Sequence, residues 1–254
     1  MLEGWLAGGL DPAGVVLVEP NPSAQIEALA KQRGLALNPP GGSASPPEVL
    51  VLAIKPQMLD SAAPQLSALA GANTLVLSII AGKRITDLAA RLPQARSFVR
   101  AMPNTPAAIG RGATAAAAGA DTTEHQRRIT ETLLGAVGAF YWLESERLID
   151  AVTAVSGSGP AYVFALAEAM AEAGVRLGLP ADLAMSLARA TVEGAGELLF
   201  RQPDSTPAQL RQNVTSPGGT TAAALEVLQA SDGLAALMAR AIEAAHKRAG
   251  ELAG

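Results

Sequence analysis

The sequence predicts an α/β protein. A doubly wound, Rossmann-type domain, with its first strand missing, occupies residues 1–145, and an all-helical domain occupies residues 146–254. Three observations predict it. Short continuous apolar runs alternate with helical stretches as far as about residue 145, the pattern of a parallel sheet covered on both faces. Beyond that point the runs stop and only helical spacing continues. Alanine, the strongest helix former, supplies roughly a fifth of the chain, while aromatic residues make up 3%.

Met1–Gly8 (MLEGWLAG) reads as the body of a helix with no strand or cap ahead of it. The runs Val15–Val18, Val49–Ile54, Thr74–Ile80 and Ser97–Met102 read as buried strands. Between them, Ser23–Arg33, Asp60–Ala70 and Thr86–Arg91 carry helical spacing behind a capping residue. Gly112–Ala118 and Phe140–Leu143 are weaker strands around a helix at Thr123–Leu134. The Pro-, Gly- and Ser-rich stretch Asn38–Pro47 reads as a surface connection. From Ser145 the segments Ser145–Val155, Pro160–Leu177, Pro180–Arg201, Thr206–Val214, Thr220–Ala230 and Leu234–Leu252 all read as helices. Gly178-Leu179-Pro180 stops one of them and starts the next.

Composition removes several function classes. The formal net charge is −4, with 17% charged residues, so no basic footprint for nucleic acid exists. There are no cysteines, which excludes disulfides, thiolate metal sites and a Cys nucleophile. Two histidines, His125 and His246, make no zinc site, and no metal is expected. His125 lies in a polar helix beside Arg127 and Arg128, and His246 precedes Lys247; both read as surface residues. The run Gln126-Arg127-Arg128 reads as a solvated helix face. No apolar run reaches the length of a membrane span and the first residues do not read as a signal peptide, so a cytoplasmic, membrane-free setting is expected.

Three sets of residues carry candidate chemistry. Ala53-Ile54-Lys55-Pro56-Gln57 ends a predicted strand, where open α/β sheets bind ligands, and Pro56 turns Lys55 and Gln57 out of the sheet. Met102-Pro103-Asn104-Thr105-Pro106 follows another strand, with two prolines stiffening the loop around Asn104. In the helical half, Ser156-Gly157-Ser158-Gly159-Pro160-Ala161-Tyr162 and Thr215-Ser216-Pro217-Gly218-Gly219-Thr220-Thr221 are hydroxyl-rich loops running straight into helices. Free N–H groups and hydroxyls at a helix start suit a carboxylate or phosphate, although ordinary capping uses the same residue types.

Taken in order, AIKPQ, MPNTP, AVSGSGPAY and VTSPGGTTAAAL resemble the pyrroline-5-carboxylate reductase family, and the similarity runs from MLEGW to the final helix. The resemblance implies reduction of 1-pyrroline-5-carboxylate to L-proline, the last step of proline biosynthesis, by hydride transfer from NADPH, with NADH as the alternative cofactor. It also implies a homodimer or a higher oligomer of dimers. Ala53, Lys55, Pro56, Gln57 and Asn104 then fall on the nicotinamide side of the cofactor. Asn21 and Ser23 fall at the adenosine ribose and its 2′-phosphate, where Glu19 would favour a bare ribose. The substrate carboxylate falls to Ser216, Gly218, Gly219, Thr220 and Thr221, with Asn213, Thr153 and Ser156 completing the pocket. Thr221 or an ordered water is the expected contact to the ring nitrogen, with Thr221 the catalytic candidate.

One departure stands out. The family opens with a strand and a G-x-G-x-M-G turn immediately before the residues that match MLEGW, and this sequence begins where that motif ends. If the DNA upstream of the Met1 codon continues in frame through an apolar strand and G-x-G-x-x-G, Met1 is an internal methionine; if it does not, the truncation is real. A gap or re-pairing is expected in the sheet, and cofactor binding is expected to suffer most. Two other readings compete: another nicotinamide-dependent imine or hydroxyacid reductase, and a non-catalytic helical dimer that binds a small acid. The helices from Pro160 to Arg201 contain no lysine to serve as acid/base, which argues against the hydroxyacid version.

Overall fold

The computed structural model describes residues 1–39 and 45–253. Residues 40–44, the middle of the predicted surface connection, lie outside the described residues. The chain packs as two units. The first contains Met1–Gly157 and His246–Gly254, and the second contains Ser158–Ala245. Strands end near residue 145, as the sequence suggests, but the packing division falls later because the segment after Ser145 lies against the sheet of the first unit.

The first unit begins with α1 (Leu2–Ala7), followed by β1 (Val16–Leu17), α2 (Ala24–Arg33) and β2 (Ala36–Leu37). Then come β3 (Val49–Leu52), α3 (Leu59–Leu69), β4 (Leu75–Ser78), α4 (Ile85–Arg91), β5 (Ser97–Met102), β6 (Gly112–Ala118), α5 (Glu124–Gly135), β7 (Gly138–Trp142) and α6 (Ile149–Val152). A π-helical turn, Thr153–Gly157, follows α6 directly. Five strands form one sheet in the order β3-β4-β5-β6-β7. Every residue of β4 and β5 is buried, as expected of largely apolar strands covered on both faces. On one face Leu52, Val76 and Phe98 pack with Leu59, Leu88 and Leu92 of the α3–α4 layer. On the other, Leu75, Leu77, Val99, Ala101 and Ala116 pack with Leu134 of α5.

Four features differ from the sequence reading. β2 was not foreseen; its two residues pair with β1 in the register Val16↔Ala36 and Leu17↔Leu37. β6 runs antiparallel to β5, with Val99 opposite Ala118. The connection from Met102 to Gly112 holds only a 3-10 turn at Thr105–Ile109, too little chain for the crossover that a parallel neighbour needs. α5 supplies that crossover between β6 and β7, which pair in parallel. Gln126 is not part of a solvated face: it is 7% exposed. Its amide closes a capping box with Thr123 and donates to the Asn73 carbonyl, so the helix start turns it inward. Finally, β1–β2 and β3–β7 are separate sheets. Among the described residues no ladder joins β1 or β2 to the five-stranded sheet, whereas the sequence reading had all these strands in one doubly wound sheet.

Gly138 illustrates how tightly β6 and β7 meet. Its φ is +143°, and a Cβ there would lie 2.0 Å from the Gly112 carbonyl oxygen, the residue opposite it in the ladder.

The second unit is helical, with α7 (Gly159–Arg176), α8 (Ala181–Arg201), α9 (Pro207–Asn213), α10 (Thr220–Leu228) and most of α11 (Leu234–Ala253). α7 and α8 form a hairpin through Gly178, whose φ of +97° is the left-handed value a helix stop demands. Small residues let them approach: Ala171, Ala184 and Ala188 make the buried seam. Large apolar side chains remain on their outer faces, including Phe164, Leu166, Leu183 and Leu187. No helix is long and apolar enough to cross a membrane among the described residues.

Candidate active site

In the first unit the candidate site forms at the carboxyl ends of β3 and β5. Leu52 is the last buried residue of β3, and Ala53 is already exposed. Lys55 holds an extended backbone (φ −67°, ψ 144°), the conformation imposed by a following proline, and Pro56 opens a 3-10 turn over Pro56–Met58. The side chains of Lys55 and Gln57 consequently stand exposed beyond the strand end.

Asn104 leaves β5 two residues after the buried Met102. Its Oδ1 accepts from the Ala113 N–H at 2.9 Å, and its Nδ2 donates to the Ser156 carbonyl at 3.1 Å. The side chain thus clamps the MPNTP loop to the start of β6 and to the π-helical turn. Thr153 and Ser156 lie on that turn, half-buried, and each hydroxyl donates to the carbonyl four residues earlier: Thr153 to Ile149 at 2.8 Å and Ser156 to Val152 at 3.3 Å. A hydroxyl that donates backwards keeps its lone pairs as acceptors. Pro103, Asn104, Thr105, Ala107 and Gly157, together with Met1, line a cleft of about 320 Å³. Pro103, Thr105 and Gly157 were not singled out as site residues from sequence, although each lies inside a motif that was.

At the exit of β1, Ser23 caps α2, its Oγ accepting from the Ile26 N–H at 3.3 Å. Glu19 turns its carboxylate onto the Asn21 N–H at 3.0 Å, and the Asn38 amide brackets the Glu19 backbone from both sides. The loop is therefore held by its own polar groups.

In the second unit Ser216, Gly218, Gly219, Thr220 and Thr221 form one turn leading into α10. Gly218 has a φ of +68°. Gly219 is the N-cap residue, and its N–H donates to the Ser216 carbonyl at 3.0 Å. The first N–H groups of a helix have no intrahelical acceptor, so this turn presents donors, with the hydroxyls of Ser216, Thr220 and Thr221 beside them. Asn213 closes α9 just upstream, its Oδ1 accepting from Gln209 Nε2 at 2.9 Å.

A wider recess of about 1040 Å³ opens at the other end of the sheet, lined by Glu48, Thr74, Arg96, Ser97 and His125. It borders the amino ends of β3, β4 and β5, and none of the predicted site residues lines it. Ligands of open α/β sheets bind at the opposite end, so the strand exits hold the candidate site. His125 is exposed there, as expected, with Nε2 3.2 Å from Glu48 Oε1. Among the described residues no cluster of His, Asp or Glu has the arrangement of a metal site.

The two loop sets can serve a cofactor and an anionic substrate. The strand exits offer an exposed cation, an amide and a stiff loop, and the α10 turn offers N–H donors and hydroxyls with no charged side chain. Comparison with known proteins identifies the family. A family model described as pyrroline-5-carboxylate reductase dimerisation matches residues 146–252. Pyrroline-5-carboxylate reductase of Pseudomonas aeruginosa is 41% identical over 259 residues, spanning 98% of this chain and 92% of its own. The structure of a pyrroline-5-carboxylate reductase from Coxiella burnetii superposes with a TM-score of 0.91 at 34% identity, covering 100% of this chain and 93% of its own. The Plasmodium falciparum enzyme, solved with NADP bound, shares the fold with a TM-score of 0.79 at 24% identity, over 99% of this chain and 92% of its own. With similarity of this strength spread from α1 to α11, the chain belongs to the pyrroline-5-carboxylate reductase family.

Proposed function

We propose that this protein reduces 1-pyrroline-5-carboxylate to L-proline with NADPH, NADH being the alternative, and that it works as a homodimer. The observation that carries the reading is the chemistry of the α10 turn: helix N–H groups, Gly218 at φ +68° and three hydroxyls, a set of donors suited to one carboxylate. In this reading residues 1–145 hold the cofactor, and residues 146–254 supply the dimer contact and the substrate loop. The apolar outer faces of α7 and α8 support self-association, since Phe164, Leu166 and Leu187 are each about half exposed or more in the single chain.

The strand exits fit a nicotinamide. Lys55 and Gln57 would flank it from β3, while the loop held by Asn104 would back it from β5. Asn21 and Ser23 would meet the far ribose. When bound, the nicotinamide supplies a hydride to the carbon of the cyclic C=N bond. The chain's own residues bind, orient and exclude water. Ser216, Thr220, Asn213 and the α10 N–H groups hold the substrate carboxylate, and Thr153 and Ser156 are the first unit's own substrate contacts. Thr221 places its hydroxyl at the ring nitrogen. A protonated cyclic imine is already electrophilic, so no strong acid has to be supplied by the protein.

The test is to replace Thr221 and Ser216 singly by alanine. Each substitution removes a hydrogen bond to a charged group, about 1.5–3 kcal/mol, and should raise KM for pyrroline-5-carboxylate at least about tenfold. NADPH affinity measured by calorimetry should stay unchanged. Loss of NADPH binding with an unchanged KM for the imine would reassign the turn to the cofactor.

A further inference from the structure

We propose that Arg100 is a positioning residue for substrate capture: it touches neither substrate nor cofactor, and sets the direction in which the Thr153–Gly157 turn presents Thr153 and Ser156. The inference rests on the reading of that turn as part of the substrate pocket.

Arg100 interrupts the otherwise apolar strand β5 (Ser97-Phe98-Val99-Arg100-Ala101-Met102) and is 2% exposed. A guanidinium in that position is costly unless paired, and its pairing is incomplete. Nη1 reaches Glu146 Oε1 at 3.3 Å, Nη2 reaches Asp150 Oδ1 at 3.5 Å, and the buried Nε–H has no partner. Both contacts are long, so an apolar side chain of similar size would serve the core at least as well. The arrangement makes sense as placement.

Its two carboxylates are attached to different structures. Glu146 Oε1 also accepts from the Ile85 N–H at 2.8 Å, which ties the group to the first turn of α4. Asp150 sits on α6, three residues before the π-helical turn begins. Four residues further along the chain from Arg100, Asn104 donates to the Ser156 carbonyl. β5 and its exit loop therefore grip one short segment twice, at Asp150 and at Ser156. A turn of π-helix accommodates an extra residue at poorer geometry and persists where its surroundings fix it. The grip at Asp150 sets the rotation of α6 about its axis, and that rotation aims the residues of the turn.

The experiment compares Asp150→Ala, Asp150→Asn and Arg100→Lys in the full chain with the wild type. Asp150→Ala should raise KM for pyrroline-5-carboxylate about tenfold while KM for NADPH stays within about twofold. Hydrogen exchange should rise at least about fivefold in the segment 149–157 and stay unchanged in α5. Asp150→Asn, which keeps an acceptor oxygen, should recover most of both effects. Arg100→Lys should resemble Asp150→Ala, since one ammonium cannot span two carboxylates. Equal changes in both KM values, or faster exchange spread across α5 as well, would reduce Arg100 to a general stability role and overturn the proposal. If the wild type turned over no pyrroline-5-carboxylate, the functional reading would fall. The exchange data would still report whether Arg100 positions the turn, and unaltered exchange at 149–157 would refute that too.

Discussion

Asn104 offers the most direct trial of the site architecture. Replacing it by alanine removes two hydrogen bonds at once, the 2.9 Å contact from the Ala113 N–H and the 3.1 Å contact to the Ser156 carbonyl. Two backbone groups then lose their partner. An unsatisfied group costs about 1–3 kcal/mol when buried, and these two are only partly buried, so water offsets some of the loss. The expected destabilisation is about 2–3 kcal/mol in total. For a unit of this size each kcal/mol shifts Tm by roughly 2–4 °C, so a fall of about 5–10 °C is expected. Asn104→Asp should be at least as harmful: it retains an acceptor for Ala113 but sets a carboxylate oxygen against the Ser156 carbonyl. Thr105→Ala, at the exposed neighbouring position, serves as the control and should stay within about 0.5 kcal/mol. The assay is thermal and urea unfolding of the three variants beside the wild type, followed by KM for both substrates. A Tm within about 2 °C of wild type for Asn104→Ala would show that the clamp contributes nothing and would refute the reasoning.

Further outcomes follow from the same structure. Gly138→Ala places a methyl group within the Gly112 backbone at a φ of +143°, so the β6–β7 pairing must break; an exposed, folded yield comparable to wild type would contradict this. The Arg91 side chain hydrogen-bonds Asp60 at 2.6 Å and holds its carboxyl below the usual value. A depressed carboxyl stabilises the fold above its unfolded pKa and loses that contribution as pH falls through the folded one. The urea midpoints of Asp60→Asn and wild type should therefore differ near neutrality and converge at strongly acid pH, and a gap that widened in acid would reverse the assignment. Sedimentation at micromolar concentration should give a dimer, and Phe164→Glu, on the exposed apolar face of α7, should shift it toward monomer without unfolding the helices.

Much of this protein was legible before any coordinate. The bounds of β5 and β6 follow from the apolar run SFVRAM and from GATAAAA, and the helices from spacing and capping residues, because these signals are local. The loops AIKPQ, MPNTP and SPGGTT stood out for the same reason, since prolines and glycines constrain the backbone where they occur. What sequence could not supply depends on partners distant along the chain. The two residues of β2 are a strand only because β1 lies beside them. Gln126 is buried only because the Asn73 carbonyl waits for its amide. Asn104 reads as a ligand-facing amide, yet its oxygen and nitrogen are engaged by Ala113 and by Ser156, 52 residues away in the chain. Arg100 is visible in sequence as a charge inside an apolar strand, but its ion pairs with Glu146 and Asp150 exist only after α6 has packed on the sheet. Local periodicity records which face of an element is apolar; which polar group meets which other is decided when those faces close against one another.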